Sequence, residues 1–484
     1  MQPQNIHFGG GPAQSVFNPI VLFLAILAGI LILFLPRNKV IIPLFALAIL
    51  VPADQILVLG SLHFPMVRIL VFFGMLRILW SKITGKEELF SGGINGIDKS
   101  IFLLTAFTAI DSILLWQAWG EVVFQLGLIY STLGTYALLR FVIRDQDDVK
   151  RTLRVWACVV SVVAAVMICE QMTGHNPIFE ALGGARASDL ATVTVRGDAL
   201  RATGTFQHPI LAGTFGGISF PLFIGLWWLG EKKDRKYAVI GAVASALIPF
   251  LTSSSTTVLG FAAGVFALFC WVVRRYMRPI RWGIVLTLIG LHLVMNGPVW
   301  ALINRINLTG NSSSDHRYML VNECIVHFWD WALIGVKNTG VWGWDMWDLS
   351  NQYVATADMN GLIPLISFLA IIVFGFKYLG RARRTADQGQ NRKQELFIWA
   401  LCGSLFANVV AFFGVSYWDQ IIVAWYALLV IICAATLSAR SAPLERNSVP
   451  LARPASVLAP SLAAGPARYA QTKVRQTAGS SSKS

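Results

Sequence analysis

What most constrains this chain is the recurrence of long apolar runs. Thirteen of them, at 17–35, 40–59, 64–80, 99–119, 121–142, 153–172, 209–229, 237–252, 256–273, 281–296, 361–379, 395–414 and 419–438, are each near the roughly 20 residues a helix needs to cross a bilayer. None shows the strict alternation of a membrane β-barrel strand. An all-α, polytopic membrane helical bundle of about thirteen spans is therefore expected. The second run is interrupted by Pro52-Ala53-Asp54-Gln55 and is the least regular. The first is too long for a signal-peptide core and has no basic segment before it, so it reads as a retained span. Composition agrees: 55% of residues are hydrophobic and only 13% charged, with mean hydropathy +0.62, whereas soluble domains are about 25% charged.

Charge gives the expected orientation. Alternate loops separate into one set holding 31 of the 39 Lys and Arg residues, from Arg37 to the C-terminal tail, and another holding only Arg68, Arg186, Arg196, Arg201, Arg305, Arg317 and Lys337. Arg77 lies inside the third run. Basic loops stay cytoplasmic, so the N-terminus is expected outside and the C-terminus inside. This accounts for most of the net charge of +14 and argues against a nucleic-acid binder, whose basic residues gather in one groove.

The resulting map has spans one to ten in residues 1–296, with a loop at 173–208 on the outer side, then a large outer loop at 297–360. Spans eleven to thirteen occupy 361–438, and a basic tail rich in Ala, Ser and Pro, expected to be disordered and near anionic lipid, occupies 439–484. Six cysteines lie mostly in spans without a CxxC pair, which points to packing and away from a disulfide framework.

With so few basic residues on the outer side, each invites a reason. Arg186 and Arg196 sit in the 173–208 loop beside Asp189 and Asp198, where solvated loop charge is the bland reading. Arg201 opens Arg201-Ala-Thr-Gly204-Thr-Phe206-Gln-His208-Pro209, which runs into span seven; Pro209 suits a first helical turn, whose free N–H groups favour an anion. Span eight ends in Thr252-Ser-Ser-Ser-Thr-Thr257, read either as a tight turn or as hydroxyls for a phosphate or sugar. Asp54, Asp111, Glu170 and His292 fall in the outer halves of their spans, which suggests either a polar cavity opening outward or buried pairing with Arg68 or Arg77.

The long outer loop concentrates chemistry: Arg305, Arg317, Lys337, His316, Glu323, His327, Asp345, Asp348 and six tryptophans. Ser312-Ser-Ser-Asp315 should cap a helix running to about Trp329, with Glu323 and His327 one turn apart. No third residue has convincing ligand spacing, so no metal is expected. Arg317 falls in the first turn, where the helix dipole disfavours a cation, and an anionic ligand is the better explanation. The stretch Gly340 to Tyr353 interleaves Trp342, Trp344 and Trp347 with Asp345, Asp348 and Asn351, a mixture suited to carbohydrate, though an interfacial aromatic belt would look similar.

An R-x-x-G-x-F-x-H-P stretch entering a span, a serine-rich turn one span later, and a large outer loop with His316-Arg317 and Asp348-x-x-Asn351-Gln-Tyr353 before Gly361-Leu362 resemble the O-antigen ligase and polymerase family over residues 100 to 435. The resemblance implies a GT-C-like helical glycosyltransferase of the bacterial inner membrane with a periplasm-facing site. Its donor would be an undecaprenyl-pyrophosphate-linked oligosaccharide, its acceptor a glycan or lipid, with no metal or nucleotide-sugar cofactor and possible pairing with a chain-length regulator. Arg317, Asp348 and His316 would then be catalytic, and Arg201, His208, Arg196, Asn351, Tyr353 and Trp344 would bind substrate. Ser350 stands where many ligases have histidine, and Ile210 where many members have asparagine; both departures favour a polymerase over a ligase. A flippase for the same lipid-linked glycan would need a basic path through the inner half, which the spans lack, and a purely structural membrane partner would not concentrate polar chemistry in one loop.

Overall fold

The computed structural model describes residues 17–59, 62–85, 90–184, 195–196, 199–295, 297–305 and 314–441. Arg186, Asp189, Asp198, Ser312 and the tail from residue 442 lie outside them, as do the side chains of Arg196 and Arg305. The described chain is almost entirely helical: α1 (Pro19–Phe34), α2 (Ile41–Leu50), α3 (Met66–Ile83), α4 (Gly96–Trp116), α5 (Trp119–Val142), α6 (Gln146–Thr173), α7 (Pro177–Leu182), α8 (Pro209–Leu229), α9 (Lys232–Leu247), α10 (Ser255–Phe269), α11 (Met277–Val294), α12 (Ser314–Val326), α13 (Phe328–Trp331), α14 (Gln352–Asn360), α15 (Leu362–Gln388), α16 (Arg392–Ala411), α17 (Ile421–Ala435) and α18 (Leu437–Ser441). Two short antiparallel hairpins, Ile56–Leu59 with Leu62–Pro65 and Val195–Arg196 with Ala199–Leu200, complete it.

Eight of these segments are long and apolar enough to cross a membrane: α4, α5, α6, α8, α9 continued to Thr252, α11 with the turn before it from Arg274, α15 and α16. The shorter apolar helices α1, α10 and α17 accompany them. This is a multi-pass helical membrane protein.

The second apolar run departs from a continuous span. Its helix stops at Leu50 because Pro52 disfavours helical backbone in the residue before it, and Val51 is extended at φ −85° and ψ 129°. Ten helical residues cover about 15 Å, half a bilayer core. The extended chain covers the remainder, since the Gln55 side chain accepts a hydrogen bond from the Asn18 backbone N–H at the start of α1, 2.8 Å away.

Polar ties fasten both ends of the bundle. At the end carrying the basic loops, arginines are held by carboxylates: Arg37 on Asp148 at 2.8 Å, Arg140 on Asp98 at 3.2 Å, Arg154 on Asp234 at 2.6 Å and Arg274 on Glu395 at 3.2 Å. At the opposite end buried Gln420 donates to the carbonyls of Val51 at 3.1 Å and Thr205 at 2.7 Å, joining three segments distant in sequence. Between the ends α8 is enclosed by α9, α10 and α16. A Cβ on Gly217 would come within 3.1 Å of the Phe261 backbone nitrogen, so α8 and α10 approach this closely only with glycine there.

Within the large loop, the described residues 314–360 have a core of their own made of Leu320, Cys324, Trp331, Met346, Val354 and Ala357. The expected helix from 312 to about 329 is broken at His327, giving α12 and α13.

Candidate functional site

The segment leading into α8 is built around one buried carboxylate. Glu170, on the last turn of α6, accepts from the backbone N–H groups of Thr203 and Gly204, each at 2.9 Å, from the Thr203 hydroxyl at 3.1 Å and from the Asn176 amide at 3.1 Å. Gly204 has φ +62°, and a Cβ there would lie 2.8 Å from Met167 Cγ, so the turn needs glycine on two counts. Glu170 thus serves as the anchor of the R-x-x-G-x-F-x-H-P stretch. Arg68 donates to the Ser131 hydroxyl at 2.9 Å and to the His63 carbonyl at 2.6 Å, and Arg77 to the carbonyls of Ile32 and Leu35 at 2.6 Å each.

That anchored turn presents Arg201 and His208. Arg201 is buried, and its Nε donates to the Thr252 carbonyl at 3.1 Å. His208 caps α8: its Nδ1 accepts from the Ile210 N–H at 3.1 Å, so the ring proton resides on Nε2. Burial first, and then the positive charge of Arg201, push the His208 pKa down to about 4, so the ring is neutral at pH 7.

The hydroxyl turn at 252–257 divides its labour. Thr252 and Thr257 hydroxyls face each other at 2.9 Å and both donate inward to the Pro249 carbonyl, which makes them structural. Thr256, in the first turn of α10, accepts a 2.5 Å hydrogen bond from the Arg317 guanidinium and lies 3.4 Å from the Gly414 carbonyl. Arg201, from the loop before α8, and Arg317, from α12, therefore reach the same turn from parts of the chain 116 positions apart. Both contacts lie at the amino end of α10, where the helix dipole adds positive potential.

His316, beside Arg317, places Nε2 2.9 Å from the Asp345 backbone carbonyl. A carbonyl only accepts, so Nε2 donates this bond and Nδ1 is the ring nitrogen left for other contacts. Asp345 holds this position with φ +63°, a left-handed conformation unusual outside glycine. One ligand atom from each of His316, Asp345 and Asp348 falls within 4.8 Å of the others, which makes them the three residues here able to share a proton or hold a cation. Asp348 is exposed at the surface, yet its carboxyl is shifted upward, chiefly by partial loss of solvent and further by Asp345, against the opposing influence of His316.

Other expected residues are used structurally. Asn351 caps α14 by accepting from Tyr353 and Val354 N–H at 2.9 and 3.2 Å. Tyr353 donates to the Val409 carbonyl at 3.0 Å amid Phe368, Phe412 and Phe413. Glu323 and His327 approach to 3.6 Å, but the other His327 nitrogen lies 2.9 Å from Asp330 and its ring stacks on Trp342 at 4.8 Å. Arg196 lies in the second hairpin. The tryptophans divide as well: Trp331 donates to the Cys324 carbonyl at 2.7 Å and is buried, whereas Trp329, Trp344 and Trp347 are 87%, 89% and 71% exposed.

Sequence reasoning missed Thr256 as the partner of Arg317, and Gly414 beside it: a Cβ on Gly414 would lie 3.3 Å from Arg317 Nε. No local signal in 412–420 announces that contact. No protein-family model matches the chain, and no curated protein matches it.

Proposed function

We propose that this protein is a membrane glycosyltransferase that polymerises lipid-linked oligosaccharide repeats. The observation that carries the reading is the convergence of Arg201 and Arg317 on the Thr252–Thr256 turn, next to the His316, Asp345 and Asp348 cluster. Two guanidiniums and a helix amino end suit a pyrophosphate, which planar arginines can grip with paired hydrogen bonds. The motif order that resembles the O-antigen ligase and polymerase family supplies the class of donor, an undecaprenyl-pyrophosphate-linked glycan, and the expected bacterial inner membrane with the site facing the periplasm.

In this reading an acceptor sugar hydroxyl attacks the anomeric carbon of the donor. The glycosidic C–O bond forms as the bond to the pyrophosphate oxygen breaks, and that oxygen leaves with the electron pair. Arg201 and Arg317 stabilise the charge growing on the leaving group, the type of contribution that is often largest in such transfers. The acceptor proton passes to Asp348 or to the free Nδ1 of His316. His208, neutral and protonated on Nε2, offers a further donor toward an anion.

Ligation to another acceptor is the second reading, and Ser350 in place of the ligase histidine favours polymerisation over it. The deciding experiment is deletion in the native host followed by analysis of lipid-linked glycans. Single repeats accumulating on the lipid are expected; long polymer that stays on the lipid carrier would assign the protein to ligation, and an unchanged glycan profile would overturn both readings.

A further inference from the structure

A cavity of about 250 Å³ lies between α4, α5, α15 and α17 and is roofed by α14. It is separate from the arginine turn, but the two share one wall, the segment Phe412 to Tyr417. Phe412 and Tyr417 line the cavity, while Gly414 lies against Arg317 and the Thr256 hydroxyl. The roof is fixed to this wall by the Gln352 backbone N–H, which donates to the Phe412 carbonyl at 2.8 Å, and by the Tyr417 N–H, which donates to the Gln352 side chain at 2.6 Å. Asp348 precedes Gln352 by four residues on the same strand of chain.

The lining constrains the occupant. None of the described residues that line the cavity is charged, which suits a neutral ligand. The walls combine aromatic rings, Trp425 and Tyr426 among them, with side-chain amides and hydroxyls, a pattern of apolar faces and a few orienting polar groups. Two amides are oriented by their own hydrogen bonds: Gln125 donates its NH2 to Glu121 at 2.7 Å, and Asn360 donates its NH2 to the Thr356 carbonyl at 3.4 Å. Each therefore keeps its carbonyl oxygen as an acceptor for hydroxyl donors, and the Thr108 hydroxyl adds a third polar group. An alkyl chain in their place would leave these groups without partners, which is costly in such surroundings. The volume is just under the roughly 300 Å³ at which ligand pockets begin, so it admits one ring and not an oligosaccharide.

We infer that this cavity binds a single neutral pyranose ring of the acceptor glycan, on the other side of the Phe412–Tyr417 wall from the arginines. Its assignment to the acceptor rests on the proposed transferase reading; its capacity to bind a neutral sugar does not.

The test uses the full-length protein in phosphatidylcholine nanodiscs, with saturation-transfer difference NMR of a panel of methyl pyranosides (gluco, galacto, manno, rhamno and N-acetylglucosamine) and of hexanol as an apolar probe. At least one pyranoside is expected to receive saturation. Thr108→Trp, which fills the cavity, should abolish that signal, and Gln125→Leu and Asn360→Leu should each weaken binding on the order of 10-fold, the effect of one lost hydrogen bond. Arg317→Lys should leave it unchanged. Absence of binding by any pyranoside, binding that survives Thr108→Trp together with both leucine variants, or displacement of the sugar by hexanol would each overturn the inference. Glycan chains in cells separate the two readings. Sugar binding that responds to the cavity variants alongside normal chains in an Arg317→Lys strain would leave a sugar site without the transferase reading. Shortened chains in that strain with no pyranoside binding would leave the transferase and remove the cavity from it.

Discussion

Arg317 and Arg201 touch the same turn but differ in their surroundings, and substitution should separate their roles. Arg317 is half-buried and meets Thr256 through one guanidinium nitrogen, so Arg317→Lys should insert and fold normally while losing activity on the order of 10²-fold, because lysine offers a point charge in place of a planar fork. Lys337, which lies over the Trp116 ring at 5.5 Å away from this turn, is the control: Lys337→Ala should be near neutral in the same glycan-length assay. Asp348→Asn preserves shape and removes the base, so activity should fall with unchanged folding, and EDTA should not alter the wild-type rate. Loss of activity in EDTA that a divalent cation restores would instead make the His316, Asp345 and Asp348 cluster a cation site. His208 gives a pH signature. Its folded pKa of about 4 lies below the ordinary 6.5, so the unfolded chain binds more protons between those values. The stability this group contributes is complete above pH 6.5 and declines as pH falls toward 4, by about 3 kcal/mol in total. Asp358, buried and pushed up to about 7 chiefly by desolvation, acts in the opposite sense, so the quantity to measure is the difference between wild type and His208→Gln. That difference in thermal stability should shrink on acidification through this window; a gap independent of pH would show that His208 contributes only its cap.

At the scale of elements, the loop from Arg201 to His208 depends on the end of α6, and this dependence was only partly legible. The proline at 209 and the apolar run after it announced the start of α8, whereas the left-handed turn at Gly204 was not read from the sequence. Glu170 was legible as a costly buried carboxylate, but its partners were not, because they are backbone N–H groups 33 and 34 residues away that any sequence would supply. Gly204→Ala should therefore cost more than a surface glycine replacement: the added Cβ meets both a left-handed φ and Met167, a strain of about 1 to 3 kcal/mol or more. Activity should fall with stability, because Arg201 is positioned by the same turn, and a variant of unchanged melting temperature and activity would detach Arg201 from it. The same limit applies to Asn351 and Tyr353. Their residue types suit carbohydrate, yet a cap and a carbonyl 56 residues away account for their polar atoms, and only the folded chain reveals that use. The helices were readable in part because apolar length is a local property: eight of the thirteen expected runs form helices long and apolar enough to cross a membrane, α1, α10 and α17 are shorter, α3 is not among the eight, and α2 stops where Pro52 outweighs apolar length.

At the scale of the whole molecule, the ends of the bundle can be assigned from contacts without reference to a membrane. Asn18 with Gln55, Asn176 with Thr203, Arg201 with Thr252 and Arg317 with Thr256 fix one end, while Arg37 with Asp148, Arg154 with Asp234 and Arg274 with Glu395 fix the other. The second end carries the loop set that holds 31 of 39 basic residues. Several of those arginines are tied to carboxylates, but ion pairing does not cancel the orientation rule, which counts Lys and Arg near span ends and gives Asp and Glu little weight. Because Gln55 returns to the Asn18 end despite the short α2, the break at Pro52 leaves the alternation of the following helices intact. A cysteine at Asp315, exposed at the start of α12, should then react with an impermeant maleimide added to intact cells, whereas one at Gln390, exposed in the turn between α15 and α16, should react only after permeabilisation. Labelling of the Gln390 position in intact cells, with protection at 315, would invert the protein. The arginine turn would then face the cytoplasm, where a lipid-linked donor presented on the outer leaflet is out of reach, and the proposed transfer would fail on geometry alone.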